Sequence, residues 1–162
     1  MAKKTYVRIG DVFCVEIDNE YKCFFQYIAQ DELQLGGQVI RVFKTHYPMD
    51  YVPICEELIK DEVQFYSHTF IRPCMDLGFW YKVGTTKNIG NIRTPYFCDP
   101  WRNIKEHASR ASHFSVWRIG DNRKVILGSM SIDEYNKYSY GAILPPGDII
   151  NKIRTGEYAE FF

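Results

Sequence analysis

The sequence predicts an α+β fold: a curved, mainly antiparallel β-sheet or half-barrel with a few short helices, forming one domain over residues 1–162. Three observations carry that prediction. Strand-like segments follow one another through residues 12–44 with only turn signals between them, the pattern of a meander. Aromatic side chains make up 16% of the chain, and such residues favour pleated, half-buried surfaces. Helix-start signals introduce short segments only.

The first strand is expected over Val12 to Ile17, where Phe13, Val15 and Ile17 share one face and Cys14 and Glu16 the other. Asp18-Asn19-Glu20 is a polar turn, and Tyr21 to Gln30 reads as the return strand of a hairpin. Gly36-Gly37 breaks the chain before a third strand over Gln38 to Lys44. Pro48 and Pro53 bracket a loop, since neither helix nor central strand tolerates proline well. Ile54 to Lys60 is expected to hold one or two helical turns. Val63 to Ile71 is β-branched and aromatic, hence a strand, with Pro73 ending it. A short strand over Phe79 to Val83 precedes a polar, glycine-bearing loop from Thr85 to Thr94. Asp99-Pro100-Trp101 combines an N-cap with proline at the first helical position, predicting a helix through about Ser109. Phe114 to Ile119 and Lys124 to Leu127 bracket a turn at Gly120-Asp121-Asn122-Arg123. Ser131 and Glu134 match a capping box, so a helix is expected to about Ser139, stopping at Gly141. Pro145-Pro146-Gly147 is a breaker before a last helix from Asp148 to Arg154, closed by Gly156.

Composition narrows the function. Twenty basic and twenty acidic side chains give a formal net charge of zero, which argues against a general nucleic-acid binder. Hydrophobic residues reach 46%, enough for a core. Apolar runs such as Cys23 to Ile28 are far short of a bilayer span, and the basic start Met1 to Thr5 does not lead into an apolar signal core. A cytoplasmic protein without a membrane partner is expected. The five cysteines include no C-x-x-C pair and are read as reduced thiols rather than disulfides or metal ligands.

No catalytic signature emerges. His46, His68, His107 and His113 are the general acid–base candidates. His107 and His113 flank Arg110, with Arg102 and Lys105 nearby, so a ribonuclease-like cluster is one reading. The preferred one is a solvated basic helix face. His46 and His68 end strand-like runs and could face each other across the sheet. G-x-S-x-G, H-E-x-x-H and a phosphate loop are all missing from the sequence. Cys98 at a helix start is a conceivable nucleophile, but it has no evident base. The site therefore reads as having no catalytic, cofactor-binding or metal-ligating residue.

The opening Ile9-Gly10-Asp11-Val12-Phe13-Cys14-Val15-Glu16-Ile17, with its aromatic return from Tyr21 to Gln30, resembles a family of bacterial immunity proteins encoded beside polymorphic toxins. Trp80-Tyr81-Lys82-Val83-Gly84, Pro95-Tyr96-Phe97, Trp117-Arg118-Ile119-Gly120 and the segment Ile149 to Gly156 extend the similarity along the chain, while residues 99–112 depart from it. The resemblance implies a protein of interbacterial competition that neutralises a cognate toxin by binding it. It requires no cofactor and no catalysis. Abundant Tyr and Trp suit such an interface, because they offer large contact area at low rotamer cost. Trp101 and Arg102, after a loop and at an expected helix start, are the first-choice partner-binding residues. Asp50 and Tyr51, in the proline-bracketed loop, come second. The alternatives are a small-ligand or adaptor half-barrel and, third, a histidine-dependent nuclease or hydrolase.

Overall fold

Residues 11–43 form the expected meander. In the computed structural model, which describes residues 6–100 and 112–158, strands β1 (Asp11–Ile17), β2 (Tyr21–Gln30) and β3 (Gln38–Phe43) pair antiparallel in sequence order. Asp18 and Asn19 both adopt φ of 54°, the left-handed conformation of a tight hairpin turn that Asp and Asn tolerate best. Strand β5 (Val63–Thr69) adds to β3 and β6 (Tyr81–Thr85) to β1, giving the order β5-β3-β2-β1-β6, while the short β4 (Tyr47–Pro48) pairs with the hairpin end of β2. A second sheet, ordered β10-β7-β8-β9, contains β7 (Phe97–Cys98), β8 (His113–Trp117), β9 (Lys124–Leu127) and β10 (Ser139–Tyr140). The architecture is thus α+β and mainly antiparallel as expected, but built from two open sheets rather than one.

Four helices are present among the described residues: α1 (Cys55–Leu58), α2 (Ile71–Asp76), α3 (Ile132–Tyr135) and α4 (Pro146–Thr155). Several boundaries differ from expectation, and proline explains two of them. Pro73 does not terminate a strand. It is the third residue of α2, where its missing N–H would have had no helical partner anyway. Likewise Pro146 starts α4 instead of breaking the chain before it. The capping box at Ser131 and Glu134 forms, but α3 is a single turn, because residues 139–140 leave it to pair in parallel with β7. Strand β6 starts two residues later than expected, since Trp80 is drawn into the core and its indole donates to the Ile71 carbonyl at 3.1 Å. The helix expected from Asp99 to Ser109 falls largely outside the described residues.

Sheet one is buried on both faces. Phe13, Val15 and Ile17 pack with Phe25, Ile40 and Val42 against Trp80, α2 and Ile149 and Ile153 of α4. Val12 and Cys14, on the other face, join Phe24, Phe43, Leu58 and Ile59 under α1. Strand β1 is therefore not half-exposed. Glu16 is its one exposed residue, and it accepts from the Tyr81 hydroxyl at 2.9 Å. Further along the second face, Ile28, Ala29 and Val39 meet Phe97, Trp117 and Ile119, which is where the sheets touch.

That junction holds a buried polar clasp. Asp31 Oδ2 lies 2.7 Å from His68 Nε2 and accepts the Trp117 indole N–H at 3.0 Å. All three residues are at most 1% exposed. His68 Nδ1 has no hydrogen-bond partner among the described residues, and desolvation lowers the pKa of the ring despite the opposing pull of Asp31. The chain end also enters here: the Leu144 N–H donates to the His68 carbonyl at 2.8 Å, and Ile143 makes a parallel bridge to His68.

Candidate partner-binding surface

At the hairpin end of sheet one, β4 and α1 fold the chain into an aromatic corner. The proline-bracketed segment turns tightly, with the Tyr51 N–H donating to the Pro48 carbonyl at 3.0 Å. This brings the Tyr47 and Tyr51 rings into a stack with centroids 4.2 Å apart, and both meet Phe24 edge-on at 5.4 and 5.9 Å. Phe24 is fully buried, and Leu58 and Ile59 of the α1 segment close the same cluster. Lys22 ties the loop down by donating to the Tyr51 carbonyl at 3.4 Å. His46 stacks on Tyr21 beside it, ring centroids 4.2 Å apart.

On this rigid base the outward positions are apolar and acidic. Val52 is 77% exposed and Ile54 58%. Asp50, Glu56 and Glu57 are exposed around them. Lys60 pairs with Glu57 and Lys44 with Glu62, each at 3.1 Å, whereas Asp50 and Glu56 have no ion pair among the described residues. Burial, aided by the neighbouring charges of Asp61 and Tyr51, raises the Tyr47 pKa. Burial and the charge of Glu56 hold the Cys55 thiol protonated. The corner is therefore an exposed apolar surface with an acidic rim, and the Cys55 thiol beside it is held protonated. Its setting is anionic as well: residues 11–62 contain eleven acids and four bases, while residues 63–130 contain four acids and ten bases. Zero net charge conceals a strong separation along the chain, which a windowed count of the sequence reveals and a total cannot.

Asp50 and Tyr51 thus lie together in one exposed corner, Tyr51 half-buried as its platform and Asp50 at its rim. Trp101 and Arg102 lie outside the described residues, as does His107. His113 is exposed, with Nδ1 3.0 Å from the Ser112 hydroxyl. His46 and His68 do not face one another: His68 pairs with Val39 near the start of β3, and His46 lies beyond its other end. Burial pushes the Cys98 thiol up to about 12, with the Asp99 charge adding to it, so this cysteine is a poor nucleophile at neutral pH. Val52 and Ile54 escaped sequence reasoning, because only the fold shows that they point outward.

The chain matches no protein-family model, no curated protein and no solved structure. Among the described residues no group of three or more His, Cys, Asp or Glu could hold a metal ion, and no helix is long and apolar enough to cross a membrane. All five cysteines are free thiols. Neither a strong reductant nor a chelator is expected to shift the melting temperature measured by circular dichroism. A fall of several degrees with chelator would reveal a structural metal.

Proposed function

We propose that this protein is an immunity-type binding protein that neutralises a cognate bacterial toxin by covering its active site or substrate route, without catalysis. The observation supporting this reading is the corner built on Tyr47, Tyr51 and Phe24, which offers Val52 and Ile54 to a partner within an acidic rim. Exposed apolar anchors on a rigid base pay little ordering entropy on association, and a surrounding field of one sign steers an oppositely charged partner. The similarity of the opening strand and hairpin to immunity proteins points the same way.

The test is co-expression with the toxin domain encoded beside the gene. Val52→Ser combined with Ile54→Ser is expected to leave the melting temperature nearly unchanged, since both side chains already face water. Toxin affinity is expected to fall at least tenfold, about 1.4 kcal/mol. Undiminished affinity would remove this corner from the interface, and failure of the unaltered protein to bind or protect would remove the immunity reading itself. A second reading, small-ligand binding, draws on an open cavity of about 460 Å³ beside the second sheet, bounded by Tyr96, Ile126, Met130, Lys137 and Tyr138.

A further inference from the structure

Among the described residues, one buried cation has no counter-ion. Arg41, at the centre of β3, is 8% exposed. Its Nε donates to Gln26 Oε1 at 2.8 Å and its Nη2 to the Asn88 carbonyl at 3.1 Å, so both partners are neutral. Gln26 Nε2 donates to the same Asn88 carbonyl at 3.1 Å, which fixes the loop from Thr86 onward across this face of the sheet. The Phe43 ring lies 5.2 Å from the guanidinium carbon. No carboxylate forms an ion pair with Arg41 among the described residues, although buried charges are ordinarily paired. Burial lowers the guanidinium pKa, and its cross-strand neighbour Tyr66 acts against that shift.

The third arm of the guanidinium is the informative one. Nη1 donates to nothing among the described residues, yet it is not a sealed orphan atom and so retains contact with solvent. Gly90 covers it with backbone alone. At φ of 70° glycine fits there freely, and a β-carbon at this position would collide with Nη1. The Tyr66 hydroxyl, on the strand beside Arg41, also has no hydrogen-bond partner among the described residues. Lys87, exposed on the loop that Arg41 holds, adds positive charge to that loop and has no ion pair among the described residues. The guanidinium thus lies between a strand that carries Tyr66 and a loop that carries Lys87, and among the described residues no acid pairs with either cation.

We propose that Arg41 is the centre of an oxyanion-binding site, with Nη1 and the Tyr66 hydroxyl as donors, for one phosphate or carboxylate group. A forked guanidinium suits both ions and gains strength when desolvated. The site is independent of the toxin-binding corner, and its test needs no toxin.

The experiment follows the arginine Nε–Hε resonances of ¹⁵N-labelled protein during titration with sodium phosphate, sodium acetate or sodium chloride at constant ionic strength. The Arg41 resonance is identified by its loss in Arg41→Lys or, should that variant fail to fold, by its contacts with Gln26 and Asn88 in the unaltered protein. A saturable shift of that resonance is expected with phosphate, and Tyr66→Phe is expected to weaken it about tenfold through loss of one hydrogen bond to a charged group. A saturable response to phosphate but not acetate assigns the site to a phosphate group, and comparable responses to both assign it to oxyanions generally, protein carboxylates included. Shifts no larger than those with chloride, or a response confined to exposed arginines, would overturn the site.

Discussion

Asp31→Ala is expected to destabilise the protein by about 2–6 kcal/mol, because one buried carboxylate serves two buried donors. The carboxylate is the shared acceptor for the His68 ring and the Trp117 indole at 2.7 and 3.0 Å. Without it, two buried N–H donors on opposite sheets lose their partner, and each orphaned group costs about 1–3 kcal/mol. Urea unfolding followed by far-ultraviolet circular dichroism and by tryptophan fluorescence checks the magnitude. A loss under 1 kcal/mol would show that apolar packing of Phe97, Trp117 and Ile119 joins the sheets unaided. Acid should weaken the same junction. The folded-state pKa of His68 is lowered by desolvation, so the unfolded chain takes up the proton first. Its contribution is complete above the unfolded value of about 6.5 and declines as pH falls from there toward the lower folded value. His68→Gln should flatten that decline in stability measured between neutral pH and pH 5.

Phe13→Asp is expected to remove roughly 5 kcal/mol or more, enough to unfold a domain of ordinary stability. Phe13 is fully buried and stacks on Phe25 with centroids 5.1 Å apart, within the main hydrophobic cluster of the domain. Glu16→Lys, three positions on but exposed, is expected to change stability by less than about 0.5 kcal/mol. The pair is measured by thermal unfolding, and an inverted order would mean that β1 presents its other face to α4.

Local signals made most of sheet one legible. Alternation in Phe13-Cys14-Val15, the polar turn at Asp18-Asn19 and the break at Gly36-Gly37 each specify geometry within a few residues, and the meander needs nothing longer. The second sheet was harder to read. Phe97-Cys98 and Ser139-Tyr140 are two-residue strands defined by distant partners, β8 and each other, and neither carries periodicity to detect. Proline misled where its position within a helix mattered: Pro73 and Pro146 sit in first turns, where the missing N–H costs nothing. The clasp was invisible for a different reason. Asp31, His68 and Trp117 are 37 and 49 positions apart, and no local pattern marks a carboxylate that will be buried. Of the candidate site, Asp50 and Tyr51 were readable from loop chemistry. The anionic setting was obscured by a total that summed opposite halves of the chain.

The parallel pairing of β10 also sets an order of assembly. Sheet one up to β5 is complete once the first 69 residues exist, through neighbouring strands with short connections, which collapse quickly. Sheet two cannot close that way, because its edge strand comes from residues 139–140, and Ile143 and Leu144 add a further attachment to β5 beside the clasp of Asp31, His68 and Trp117. During synthesis Phe97 and Trp117 can meet Ile28, Ala29 and Val39 as soon as β8 exists, whereas the outer edge of β7 must wait for residues 139–140. A nascent chain stopped before Ser139 would hold a finished first sheet and a second one without its edge strand, leaving the backbone of Phe97 and Cys98 unpaired on the side that β10 covers in the full-length protein.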